Sequence, residues 1–98
     1  MKPTVAPVTT YGTLDSDVTV ESSQTIRVFW ISFWNGTGGP QKFQLQYAIG
    51  SGTYADVAVP TNQTYVYEVH FLADFGLKIP SVGSSDASVS VFHSHGGS

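Results

Sequence analysis

The sequence contains no cysteine, which excludes a disulfide scaffold, a thiolate metal site and a cysteine nucleophile. Charge is scarce as well. Only 11% of residues are charged, where an ordinary soluble domain has roughly 25%. Four Lys or Arg stand against seven Asp or Glu, a net charge of -3. That mildly acidic balance argues against nucleic acid as the main partner, because phosphate neutralisation needs a basic face. No window approaches the roughly 20 apolar residues of a membrane span. The opening Met1-Lys2-Pro3-Thr4-Val5-Ala6-Pro7 has a positive charge but no apolar segment behind it. Neither a membrane partner nor a signal peptide is therefore expected.

What is present is aromatic and apolar. The 98 residues, 10.5 kDa, suffice for one domain. A 13% aromatic and 41% hydrophobic composition separates the chain from charge-poor disordered sequences. A domain of about 100 residues buries only about two-thirds of its unfolded surface. Here the remainder must be covered by Ser, Thr, Gln, Gly and exposed aromatics. Such a surface suits packing against partners, and a structural or assembly role is expected.

The periodicity is that of β-structure throughout, with turn residues at intervals of about ten and no helical pattern. Residues 1–10, with Pro3, Pro7 and Val8-Thr9-Thr10, read as an extended arm that orders on a partner. A first strand is expected over 17–20. The second and strongest covers 25–34, with Phe29, Ile31 and Phe33 on one face and Ile26, Val28, Trp30 and Trp34 on the other. Three glycines and a proline make 35–40 a loop. A third strand over 42–49 directs Phe43, Leu45, Tyr47 and Ile49 one way and Lys42, Gln44 and Gln46 the other. The fourth, 54–59, points Val57 and Val59 inward and stops at Pro60. The fifth, 64–71, sets Tyr65, Tyr67, Val69 and Phe71 against Glu68 and His70. A short sixth covers 77–79, and the last, 87–93, turns Val89 and Val91 inward before a flexible tail over 94–98. About seven strands without a helix predict an all-β fold, a small antiparallel β-sandwich occupying 11–93.

Candidate chemistry is thin. Five of the carboxylates (Asp15, Asp17, Glu21, Asp74, Asp86) fall in turns or strand ends, where solvation accounts for them. Glu68 and His70, two residues apart on one strand face, have acid–base chemistry but also suit the wet face of an edge strand. The run Gly36-Thr37-Gly38-Gly39 lacks the Lys-Ser/Thr ending and the following helix of a phosphate loop. Asn35-Gly36-Thr37 and Asn62-Gln63-Thr64 match the glycosylation pattern, which without a secretory signal is accidental. His93 and His95 share a face in an extended chain. Three chains about an axis would combine their imidazoles into an octahedral metal site; a frayed tail is the plainer reading, and neither metal nor cofactor is expected. Trp30 and Trp34 form an apolar face that needs a cover. It is buried within the fold, or in a subunit interface with Val5 and Val8 of the arm, or it serves as a platform for sugars.

The order of these motifs carries a resemblance. A Tyr11-Gly12 start leads to a long apolar strand ending in Asn35-Gly36-Thr37-Gly38-Gly39. An alternating strand, a Val59-Pro60 turn and an aromatic strand lead to Phe75-Gly76-Leu77-Lys78-Ile79. The chain closes on Ala87-Ser88-Val89-Ser90-Val91-Phe92. This layout, over about 11–93, resembles the small all-β virion proteins encoded in tailed bacteriophage genomes, the capsid decoration (cement) and head-fibre proteins. The tail after Phe92 departs from it. The resemblance implies a non-enzymatic protein, made in the bacterial cytoplasm, that binds the major capsid protein on the assembled shell, often as a homotrimer, and reinforces it. Another virion part (neck, tail or fibre) shares the layout. A carbohydrate-binding module using Trp30, Trp34 and the tyrosines is the alternative of a different class.

Overall fold

The computed structural model describes residues 7–21, 25–68 and 70–95. Within them the period-two alternation resolves into nine strands and no helix: β1 (Val8–Thr13), β2 (Val18–Glu21), β3 (Ile26–Asn35), β4 (Gln41–Gln46), β5 (Thr53–Val59), β6 (Gln63–Tyr67), β7 (Phe71–Ala73), β8 (Leu77–Ile79) and β9 (Ala87–His95). The strands form two antiparallel sheets. The larger has the order β1-β9-β3-β6, with β7 also on β3, and the smaller the order β2-β8-β4-β5. An all-β sandwich is the fold the alternation predicts.

Several boundaries differ from expectation. Val8–Thr10 do not belong to an arm: they open β1 and pair with Val91–His93 of β9. At the other end β9 runs on to His95, so residues 94 and 95 are strand and not tail. The single strand expected over 64–71 is two strands, because pairing with β3 lapses after Tyr67 and resumes at Phe71.

The most consequential difference lies inside β3. Val28 pairs with His93 but Trp30 pairs with Phe92, so Phe29 is one residue too many. Such a bulge reverses the alternation beyond it. Ile26 and Val28 before it, and Ile31, Phe33 and Asn35 after it, therefore all face the core and are fully buried. The expected division, with Ile26 and Val28 on the tryptophan side and Phe29 inside, is corrected accordingly.

The core lies between the sheets. Phe33 of the larger sheet stacks on Phe43 of the smaller, ring centroids 5.0 Å apart, among Leu14, Leu45, Val57, Val59, Leu77, Ile79, Val89 and Val91. Burying each such side chain contributes about 1.5–3 kcal/mol. Ile49, expected inside, is 48% exposed, because β4 ends at Gln46 and the chain turns before reaching it.

One buried amide ties the loops at the sandwich end. Asn35 is fully enclosed. Its Nδ2 donates to the carbonyls of Gly39 and Val59, each at 2.9 Å. Its Oδ1 accepts from the Thr37 amide at 3.1 Å and the Thr37 hydroxyl at 2.7 Å. With both amide hydrogens engaged and no exposed surface, this asparagine is closed to glycosylation in the folded state. A second tie orders the 81–86 loop: the carbonyl of buried Leu14 accepts from Ser81 Oγ at 2.8 Å and Val82 N at 2.9 Å.

A smaller aromatic cluster closes the opposite end. Tyr47 stacks on Phe75 and touches Tyr54, both with centroids 4.7 Å apart, and Tyr54 leans on Phe71. The Tyr54 hydroxyl donates to the Gly76 carbonyl at 2.7 Å and accepts from the Phe75 amide at 3.0 Å. Burial raises its pKa above the ordinary 10.0, although the Phe75 amide opposes the shift. The folded chain thus holds this proton more tightly than the unfolded one. The stability this contributes is complete below pH about 10 and is lost as the pH rises through the alkaline range beyond it. Tyr54→Phe is expected to cost about 1–2 kcal/mol at neutral pH and to flatten the fall of stability above pH about 10. Urea denaturation at pH 7 and pH 10.5 measures both; an equally steep alkaline fall in the variant would refute the assignment.

Candidate functional site

The two outer faces of the sandwich differ in the large side chains they expose. The smaller sheet turns Thr19, Lys42, Gln44, Gln46, Asp56 and Lys78 outward, and Gln46 donates to Gln44 at 2.6 Å. That is an ordinary wet face. On the larger sheet the outward positions include Tyr11, Trp34, Val66 and Leu72, exposed by 64%, 40%, 43% and 48%. Half-buried Phe29, Trp30 and Phe92 lie among them.

The Phe29 bulge builds the centre of this face. By inserting a residue it brings two consecutive aromatics to the same side, and both rings rest on Phe92. The Phe29 centroid lies 5.5 Å from that of Phe92, and the Trp30 indole stacks on it at 5.4 Å and 17°. The lapse between β6 and β7 faces the bulge and opens a groove of about 430 Å3 lined by Phe29, Trp30, Ser32, Val66, Glu68 and His70. His70 meets the Phe29 ring edge-on at 5.3 Å. Glu68 and His70, expected on one face of a strand, lie between β6 and β7 and line this groove together with the Phe29 and Trp30 rings. Trp34 lies further along β3, between Thr64 of β6 and Ser88 of β9, and neither side chain is large enough to cover an indole.

The expected interface residues do not all assemble. Trp30 and Trp34 share the outer face. Val8 is 54% exposed, but it pairs with inward-facing His93 and so lies on the opposite side of the sheet from the tryptophans. Val5 lies outside the described residues. The threefold metal site is corrected at His93, which is only 8% exposed and hydrogen-bonded to Thr10 Oγ1 at 2.9 Å. An imidazole enclosed within its own subunit is not presented to a shared axis. The side chain of His95 lies outside the described structure, and among the described residues no group of three or more His, Asp or Glu is placed to hold a metal. Phe29, Val66, Leu72 and Phe92 were not singled out from the sequence as site residues. Their signal was present in the consecutive aromatics Phe29-Trp30, which strict alternation cannot place together.

Among the described residues no helix is long and apolar enough to cross a membrane. Comparison with protein-family models, curated proteins and solved structures yields no match.

Proposed function

We propose that the chain is a structural virion protein that docks on the major capsid protein as a decoration protein and stabilises the shell, without catalysis. The observation that supports this reading is the contrast between the two sandwich faces. One is polar and self-sufficient; the other carries Tyr11, Trp34, Val66 and Leu72 exposed around a rigid aromatic centre. Several large apolar side chains exposed on one sheet face, here with Arg27, Ser32, Ser88 and Ser90 between them, mark a binding surface. Trp and Tyr are the residues that anchor such surfaces. In this reading the protein is made in the bacterial cytoplasm, acts on the capsid exterior and needs no cofactor.

The test is reconstitution on shells of the phage that encodes it, prepared without the protein. Saturable co-sedimentation, together with a rise in the temperature at which the shells rupture, is the expected result. Shells that neither bind the protein nor gain heat resistance would overturn the reading.

One observation favours a second reading, a carbohydrate-binding module. The groove combines flat aromatic surfaces with a hydroxyl, a carboxylate and an imidazole, the mixture of apolar floor and few polar groups that orients a small ligand. Saturable binding of free glycans in the absence of any particle would support it.

A further inference from the structure

Sheet borders expose unpaired N–H and C=O groups, and proteins blunt them with charge, proline, bulges or shortness. Three of the four borders here are blunted. β2 has four residues and an irregular register. β5 carries Asp56 and stops at Pro60. The β6/β7 border is broken between Tyr67 and Phe71, where Glu68 follows β6. β1 has none of these devices within its span, and only Pro7 flanks it. Its six residues, Val-Thr-Thr-Tyr-Gly-Thr, pair with β9 in unbroken register and contain neither charge nor proline. Among the described residues nothing pairs with its other side.

The hydrogen-bond phase of that border follows from one contact. Leu14 N–H donates to the Ala87 carbonyl at 2.8 Å, one step beyond the Thr13–Ser88 pair. Antiparallel pairs alternate between bonded and non-bonded, so Gly12, Thr10 and Val8 bond to β9. Thr9, Tyr11 and Thr13 therefore point their N–H and C=O groups out of the sheet.

From this phase we infer that β1 is a self-pairing edge whose partner is a second copy of this chain, joined about a twofold axis through Tyr11. This goes beyond capsid docking and concerns the free protein. A twofold axis perpendicular to the sheet sets Tyr11 opposite Tyr11 of the second copy, and Thr9 opposite its Thr13. In this register every outward group meets an outward group. The outer faces stay on one side, Gly12 lies opposite Thr10, and no like charges meet. Tyr11, 64% exposed, gains an aromatic cross-strand neighbour. The product is one continuous sheet that sets two aromatic faces side by side. Its symmetry is twofold, unlike the trimer expected from the sequence.

Sedimentation equilibrium of the full chain, with no particles present, tests the inference independently of capsid binding. The expected mass is twice 10.5 kDa. Tyr11→Lys places two ammonium groups directly opposite each other and is expected to give a monomer with unchanged circular dichroism. Tyr11→Cys, in a chain otherwise free of cysteine, is expected to oxidise to a covalent dimer. Opposite Cα atoms of a bonded antiparallel pair are about 5.5 Å apart, within disulfide reach. If Tyr11→Lys fails to fold, the Cys cross-link decides. A wild-type monomer at several hundred micromolar, a trimer, or a dimer that does not cross-link through residue 11 would overturn the inference.

Discussion

Asn35→Ala is expected to lower the unfolding free energy by about 3–5 kcal/mol, from the cost of about 1–3 kcal/mol for each buried polar group left without a partner. The side chain is fully buried and makes four hydrogen bonds. Truncation leaves the buried Val59 carbonyl and the Thr37 amide without this partner, while the Gly39 carbonyl keeps only the Thr37 hydroxyl at 3.1 Å. Total stabilities of single domains are about 5–15 kcal/mol, so the loss is a large share of the whole. For a chain of this size about 1 kcal/mol shifts the melting temperature by about 4–8 °C, and the variant should melt about 12–40 °C below the wild type. Asn35→Asp is the sharper control. It keeps an acceptor for Thr37 but replaces the two donors with a buried carboxylate facing two carbonyls, and it should be at least as damaging. Thermal melts of both variants, followed by circular dichroism, measure this. A loss below about 1 kcal/mol would show that the loops hold together without the amide.

Most of the architecture was legible because alternation and turn residues agree over long stretches. Phe43 and Leu45 in β4, Val57 and Val59 in β5, and Val89 and Val91 in β9 all face inward, as their spacing requires. What was not legible depends on tertiary pairing. A bulge has no local composition: Phe29 reads as one more β-former until β9 supplies a register that skips it. The lapse between β6 and β7 is equally silent, since Tyr67 through Phe71 continue the apolar-polar pattern while their partner strand does not. The first half of β1, Val8–Thr10, reads as part of an extended arm over 1–10, because Pro3 and Pro7 leave few groups able to join a sheet. Its pairing with β9 joins residues some eighty positions apart, and no local signal reports that.

The candidate site shows the same division. Trp30 and Trp34 were placed together correctly, because both lie beyond the bulge and keep their parity. The rest of the face assembles from β1, β6, β7 and β9, so Tyr11, Val66, Leu72 and Phe92 join it only through the sheet order. Asn35 was recognised as the start of a glycine-rich loop. Its burial follows from the reversed parity after Phe29, which turns it inward beneath the loop it begins.

Trp34→Ala and Phe33→Ala, adjacent in β3, are expected to fail in opposite ways. Phe33 faces the core, fully buried and stacked on Phe43 at 5.0 Å. Its truncation removes a large core side chain and leaves a cavity between the sheets, at a cost of about 3–5 kcal/mol of folding stability. Trp34, one residue on, faces outward with 40% of its surface exposed. Its removal leaves no enclosed cavity, so the variant should keep the wild-type β-type circular dichroism and lose little stability. If the outer face is the docking surface, an indole at this position is an anchor, and losing it costs about 2–4 kcal/mol of association. That corresponds to a roughly 30- to 1,000-fold weaker attachment to shells. Melting curves and co-sedimentation on the same preparations separate the two effects. A Trp34→Ala protein that binds shells as tightly as the wild type would remove this face from the docking account. One that melts as early as Phe33→Ala would place the indole in the fold's own stability instead.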